Sequence, residues 1–114
     1  MDINFNTNED FNKLQTSDLR KKLHKIYQGG GEKKIKKIHA KGKLTARERI
    51  AYLLDSDEAA IEIGAFAGEG MYKEHGGCPS GGVVVKIGHV SGKQCIVVAN
   101  DATVKAGSWF PITA

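Results

Sequence analysis

The sequence predicts an α/β fold in which a helical first half is followed by a small sheet built round a β-hairpin. Two observations carry this. Up to about residue 57 the apolar residues recur near the helical period and are interrupted by glycines. From Ile61 onward they fall into short β-rich runs, two of which flank a Ser91-Gly92 turn.

Phe11, Leu14, Leu19, Leu23, Ile26 and Tyr27 follow the helical repeat and predict a first helix. Gly29-Gly30-Gly31 ends it, because glycine readily takes the left-handed turn that closes helices and weakens their interiors. A second short helix is expected from Glu32 to about His39, with Ile35 and Ile38 as its apolar stripe and Gly42 beyond it. Thr45-Ala46-Arg47-Glu48 is a capping box that starts a third helix, whose buried face is expected to be Ile50, Leu53 and Leu54. Asp55-Ser56-Asp57 closes that helix as a turn.

Ile61-Glu62-Ile63 alternates as a short half-buried strand does. Residues 64–82 hold seven of the fourteen glycines and no period, so they read as a loop or lid. Val83–Val90 and Gln94–Asn100 form the expected hairpin. Within it Ile96-Val97-Val98-Ala99 is apolar on both faces, which calls for cover above and below the sheet. Little else in the sequence can supply that cover, and the chain closes on apolar Trp109-Phe110-Pro111-Ile112-Thr113-Ala114. The expectation is a piece of a longer chain.

Composition narrows the class. In 114 residues, 40% are apolar and 26% charged, which is ordinary globular usage. No apolar run approaches the roughly 18–20 residues that cross a bilayer, and the first residues lack the pattern of a secretory leader. Two cysteines make no disulfide scaffold and fit a reducing compartment, so a cytoplasmic location is expected. The net charge of +4 is unevenly spread: Arg20 to Arg49 holds twelve Lys and Arg against two Glu, a net of +10, leaving −6 for the rest. A basic arm on a mildly acidic body points to anionic partners.

Gly29–Lys34 lacks both a preceding strand and the G-x-x-x-x-G-K-[ST] spacing of a phosphate loop, and reads as a helix break. The glycines of 76–82 precede a strand, so they read as a close-approach turn. His75 and Cys78 have a plausible local spacing, but His89 and Cys95 form no matching second pair, so no metal site is expected. Both thiols read as small apolar groups with no base beside them.

The Lys33–Arg49 run has two readings, a solvated helical face or an anion site. Arg47 and Arg49 are the sharpest part of the second, since a helix dipole disfavours cations in the first turn. Asn100-Asp101-Ala102-Thr103 leaves the end of a strand, a common ligand position and equally a good turn. A small basic nucleic-acid-binding module using Lys33–Arg49 is the rival from another class, although the run lacks interleaved aromatics for stacking on bases.

Taken together, several segments resemble the start of the carboxyltransferase β subunit of biotin-dependent acyl-CoA carboxylases of the methylcrotonoyl-CoA/propionyl-CoA type. They are Gly29-Gly30-Gly31-Glu32-Lys33, Gly42–Ile50, Leu53-Leu54-Asp55, Gly64-Ala65-Phe66, Gly70-Met71-Tyr72, Val97–Lys105 and Pro111-Ile112-Thr113. The resemblance implies the first part of a crotonase-like (ClpP/crotonase) fold, with a helical arm over 1–31 and the start of the carboxyltransferase domain over 32–114. It implies carboxyl transfer from carboxybiotin to an acyl-CoA, with enolate-stabilising backbone donors further along the family chain. No catalytic residue is then expected here, and the piece alone should be inactive.

By the same resemblance biotin is carried by a partner, the biotin carboxylase or carrier subunit, and coenzyme A enters as the substrate thioester. The β subunits form a homo-oligomer, with no part for metal, nucleic acid or membrane. Acyl-CoA binding is implied at Arg47, Arg49, Ala99, Asn100, Asp101, Lys105 and Gly107. Two positions depart from the family pattern: Ala106 stands where a glycine is common beside Gly107, and Trp109-Phe110 replaces a tyrosine pair. Gly70-Met71-Tyr72 looks more like the methylcrotonoyl-CoA branch.

Overall fold

The computed structural model describes residues 2–114. Its element order is that expected: helices α1 (Ile3–Tyr27), α2 (Glu32–Ala40) and α3 (Ala46–Leu53), then strands β1 (Ile61–Ile63), β2 (Val83–Val90) and β3 (Lys93–Asn100). The strands form one antiparallel sheet in the order β1-β2-β3. The α/β class and the helical arm preceding a small sheet are as predicted, and α1 starts earlier than Phe11 because the Asp2 carboxylate caps it, accepting from the Asn4 N–H at 2.9 Å.

At 25 residues α1 is about 37 Å long at 1.5 Å per residue. Only Ile26 in its last turn is buried, so most of the helix stands clear of the body. Gly29 ends it at φ +54°, where a Cβ would sit 2.6 Å from Asp101 Oδ2 and from Thr103 Oγ1. The capping box of α3 is formed in both directions: Glu48 N–H donates to Thr45 Oγ1 at 3.3 Å, and Thr45 N–H to Glu48 Oε2 at 2.7 Å.

α3 covers one face of the sheet. Ala46, Ile50 and Leu54 pack with Val84, and Ala60, Val90, Val97 and Ala99 complete this core. Leu53, expected in it, is half exposed, because the stripe 46-50-54 repeats every four residues and Leu53 points off that line. Gly88 allows the close approach, since a Cβ there would lie 2.9 Å from Leu54 Cδ2. Beyond α3, the Asp55 carboxylate accepts from the Ser91 and Gly92 N–H groups, each at 2.8 Å, and fastens the two-residue hairpin turn. Both turn residues have positive φ, 51° and 77°, as a type I′ turn requires.

The opposite face is open. Register places Ile61 and Ile63 beside Ile87 and Val85, and these beside Ile96 and Val98. Ile61, Ile63, Ile96 and Val98 are 47–67% exposed. The short half-buried strand expected at 61–63 is present with its isoleucines facing out, and Glu62 turns in to pair with Arg47. A second small core, Cys78, Val104 and Phe110 with Tyr72 against it, ties the glycine-rich loop to the chain end. Thr113 assists, its hydroxyl donating to the Gly81 carbonyl at 2.6 Å.

Candidate anion-binding site

The triple glycine and the Asn-Asp-Ala-Thr turn are halves of one joint. Thr103 Oγ1 donates to Asp101 Oδ1 at 2.6 Å and accepts from the Gly30 N–H at 2.8 Å. Thr103 N–H reaches the same Asp101 oxygen at 2.9 Å, and Asp101 N–H binds the Gly82 carbonyl. Asp101 and Thr103 are 7% and 3% exposed, so this is a buried and satisfied polar cluster. A Cβ on Gly30 would collide with the Thr103 carbonyl, so only glycine lets the α1–α2 corner seat here.

That joint sets α2 beside the loop leaving β3, and between them opens a groove of about 1100 Å³. Lys34, Lys37, Lys41, Lys43, Arg49 and Lys105 line it, with Ile38, Leu44, Ala102, Thr103 and Ala106 between them and no carboxylate. Lys34 and Ile38 lie on one face of α2 by their spacing of four, and Lys37 and Lys41 lie beside them. Six cationic residues around a concave surface give a field that concentrates polyanions. His39 Nε2 sits 2.9 Å from both Glu48 oxygens and joins α2 to α3. The Thr45 backbone N–H, and then His39, hold the Glu48 carboxyl below the usual carboxylate range.

Of the residues singled out from the sequence, Arg49 and Lys105 line this groove. Arg47 does not. Its guanidinium grips both oxygens of Glu62 at 2.8 and 2.9 Å, lies 4.5 Å above the Tyr27 ring, and donates to Ser80 Oγ at 3.2 Å. A cation in the first turn of α3, unexplained by the helix dipole, is explained by the inward carboxylate of β1. Ala99 packs under α3, Asn100 accepts from Trp109 Nε1 at 3.3 Å, and Asp101 is the buried anchor of the joint. Gly107 ends a run of three positive φ values (46°, 53° and 83°) that begins at Lys105. Ala106, at the second of these, adopts a conformation that glycine takes without strain.

Sequence reasoning missed the Gly30–Thr103 contact and the Arg47–Glu62 pair. The signal for the second was present: an arginine where the dipole disfavours one, and a strand with a single acid. His75, Cys78, His89 and Cys95 do not converge, and among the described residues no three His, Cys, Asp or Glu side chains are placed to hold a metal. Burial pushes the Cys78 thiol up, in keeping with an apolar role. No helix among the described residues is long and apolar enough to cross a membrane.

Comparison with known proteins places this geometry in context. The carboxyl transferase domain matches residues 37–114. The probable methylcrotonoyl-CoA carboxylase beta chain, mitochondrial, of Drosophila melanogaster is 49% identical over 96 residues, covering 84% of this chain and 16% of that one. The biotin-dependent 3-methylcrotonyl-coenzyme A carboxylase beta1 subunit of Mycobacterium tuberculosis is 40% identical over 104 residues, 91% of this chain and 19% of that one. Among solved structures, transcarboxylase 12S, a hexamer with methylmalonyl-coenzyme A and methylmalonic acid bound, superimposes with a TM-score of 0.73 at 34% identity, over 82% of this chain and 18% of that one. The beta subunit of P. aeruginosa geranyl-CoA carboxylase gives 0.80 at 26% identity, over 99% of this chain and 21% of that one. The chain thus spans less than a fifth of the length of these two curated relatives.

Proposed function

The chain belongs to the carboxyl transferase domain family, and we propose that it supplies the phosphate-binding end of an acyl-coenzyme A site in a carboxyltransferase β subunit. The observation that carries this is the groove of six cations without a carboxylate. Coenzyme A offers a pyrophosphate and a ribose phosphate, and guanidinium and ammonium groups bind such oxygens through short charge-assisted hydrogen bonds. Arg49, Lys37 and Lys105 are the contacts proposed. Ile38 and Leu44 give an apolar surface for the nucleoside.

Arg47 acts on this reading as a positioning residue, holding α3 against β1 so that Arg49 faces the groove. Asp101 and Gly30 set the opposite wall. The acyl end would leave the groove toward residues beyond those present here, and the reaction proposed for the complete subunit is transfer of a carboxyl group from carboxybiotin to the acyl carbon. Biotin is given no contact in this groove, since it carries no phosphate to meet the cationic lining. It would arrive on a partner subunit and supply the carboxyl group elsewhere. The enolate-stabilising donors would likewise lie outside residues 1–114, which accounts for the expectation that this chain alone is inactive.

We take residues 1–31 as an arm and 32–114 as the start of the domain, with the open face of Ile61, Ile63, Ile96 and Val98 as the surface on which the rest of the crotonase-like body packs. The methylcrotonoyl-CoA branch is favoured by the relatives, and a homo-oligomer by the hexameric transcarboxylase. Two unpaired thiols suit the cytoplasm. The fly relative is named mitochondrial, so cell fractionation is the check on that assignment.

Calorimetric titration with coenzyme A tests the reading. Arg49→Gln should weaken binding about tenfold, the equivalent of one charge-assisted contact, and binding should fall as salt rises. Wild-type affinity in Arg49→Gln would refute the site. In the complete enzyme the same change should raise KM for the acyl-CoA with little effect on kcat, because the contact is made equally in ground and transition states.

A further inference from the structure

Lys105 belongs to the groove by position, but its charge is directed elsewhere. Its Nζ lies 4.3 Å from the centroid of the Phe110 ring and donates to the Trp109 carbonyl at 3.2 Å. Neither Trp109 nor Phe110 lines the groove. The ring is fixed in place, being 5% exposed and stacked on Tyr72 with centroids 4.3 Å apart.

The backbone beneath the lysine is strained. Lys105 and Ala106 both carry a Cβ and both sit at positive φ, a conformation that persists only where surrounding contacts hold it. The ammonium's grip on Trp109 is one such contact, and Ser108 Oγ donating to the Lys105 carbonyl at 2.7 Å is another. A phosphate in the groove competes for that ammonium with a full charge, against a ring quadrupole and a neutral carbonyl.

We propose that Lys105 is a ligand-recruited cation, parked on Phe110 in the free chain and drawn into the groove by a pyrophosphate-bearing anion, with rearrangement of residues 105–109. This rests on the reading of the groove as a phosphate site and adds that the ligand completes the site. Five cations receive the anion, and the sixth arrives with it. Phe110 is then a positioning residue that holds Lys105 off the groove until the anion is present.

Trp109 reports the step. It is the single tryptophan of the chain, its carbonyl accepts from Lys105, and its indole N–H donates to Asn100. The 114-residue chain is titrated with coenzyme A and with inorganic pyrophosphate, following heat and tryptophan fluorescence in parallel. In the wild type both signals should saturate together. Lys105→Met should bind about tenfold more weakly and lose the fluorescence change. Phe110→Leu should bind pyrophosphate about two- to fivefold more tightly, because the competing ring is gone, and that gain should vanish in the Lys105→Met background. Destabilisation alone would weaken binding, so the sign separates the roles.

Heat without a fluorescence change in the wild type overturns the recruitment and leaves the phosphate site standing, whereas absence of heat overturns both. Weaker binding by a folded Phe110→Leu also overturns it. Should that variant not fold, the wild-type and Lys105→Met titrations decide.

Discussion

Replacing Glu62 by glutamine isolates the contact that fixes α3 on the sheet. In the wild type the Arg47 guanidinium and the Glu62 carboxylate are paired at 2.8 and 2.9 Å, with side chains only 19% and 11% exposed. The amide keeps the volume and one accepting oxygen but removes the charge, leaving the guanidinium with neutral partners there, Ser80 and the Tyr27 ring among them. Breaking a fully buried pair from one side costs about 3–5 kcal/mol, and the residual exposure here lowers that to roughly 2–3 kcal/mol. For a domain near this size a loss of that order lowers Tm by about 8–15 °C. The assay is thermal unfolding of the chain at pH 7 by far-ultraviolet circular dichroism. Arg47→Met should cost a similar amount, and the double change Arg47→Met with Glu62→Gln should cost clearly less than the sum, because the uncompensated charge disappears. A Glu62→Gln variant within about 0.5 kcal/mol of wild type, or strictly additive single changes, would refute the reasoning.

Two further outcomes concern stability. Ala106→Gly should stabilise the chain by about 1 kcal/mol by relieving the positive φ, measured as a shift in the urea midpoint; no shift would mean that the loop is unstrained. Acidification tests Asp55, whose carboxyl the Gly92 and Ser91 backbone N–H groups hold below its usual range. A depressed carboxyl contributes stability above the unfolded pKa, near 4, and loses it as pH falls through the folded value. The urea midpoint should therefore fall between about pH 4 and lower values, and less steeply in Asp55→Asn. An equal slope in the variant would remove Asp55 from the account.

Much of the fold was legible because local physics dictated it. The capping box of Thr45 and Glu48, the Ser91-Gly92 turn, and the helix stop at Gly29 each depend on backbone groups a few residues away. Arg49 and Lys105 were also legible as candidates, from charge and from their place in the motifs. The direction in which β1 faces was not, since alternation in Ile61-Glu62-Ile63 says that the faces differ without saying which is inside. Leu53 was misjudged for a related reason: three apolar residues near a helix end fit two stripes, and only the partner surface selects one.

By itself the sequence determined the helices, the hairpin and a strongly basic stretch, because those properties are set by neighbours along the chain. Tertiary structure alone decided that Gly30 meets Thr103, that Glu62 turns inward to take Arg47, and that Lys34, Lys37, Arg49 and Lys105 line one groove. Each of these brings together residues from different elements of the chain. Their proximity follows from how α2 and α3 are seated against the sheet and the loop leaving β3, a packing choice that no local pattern encodes.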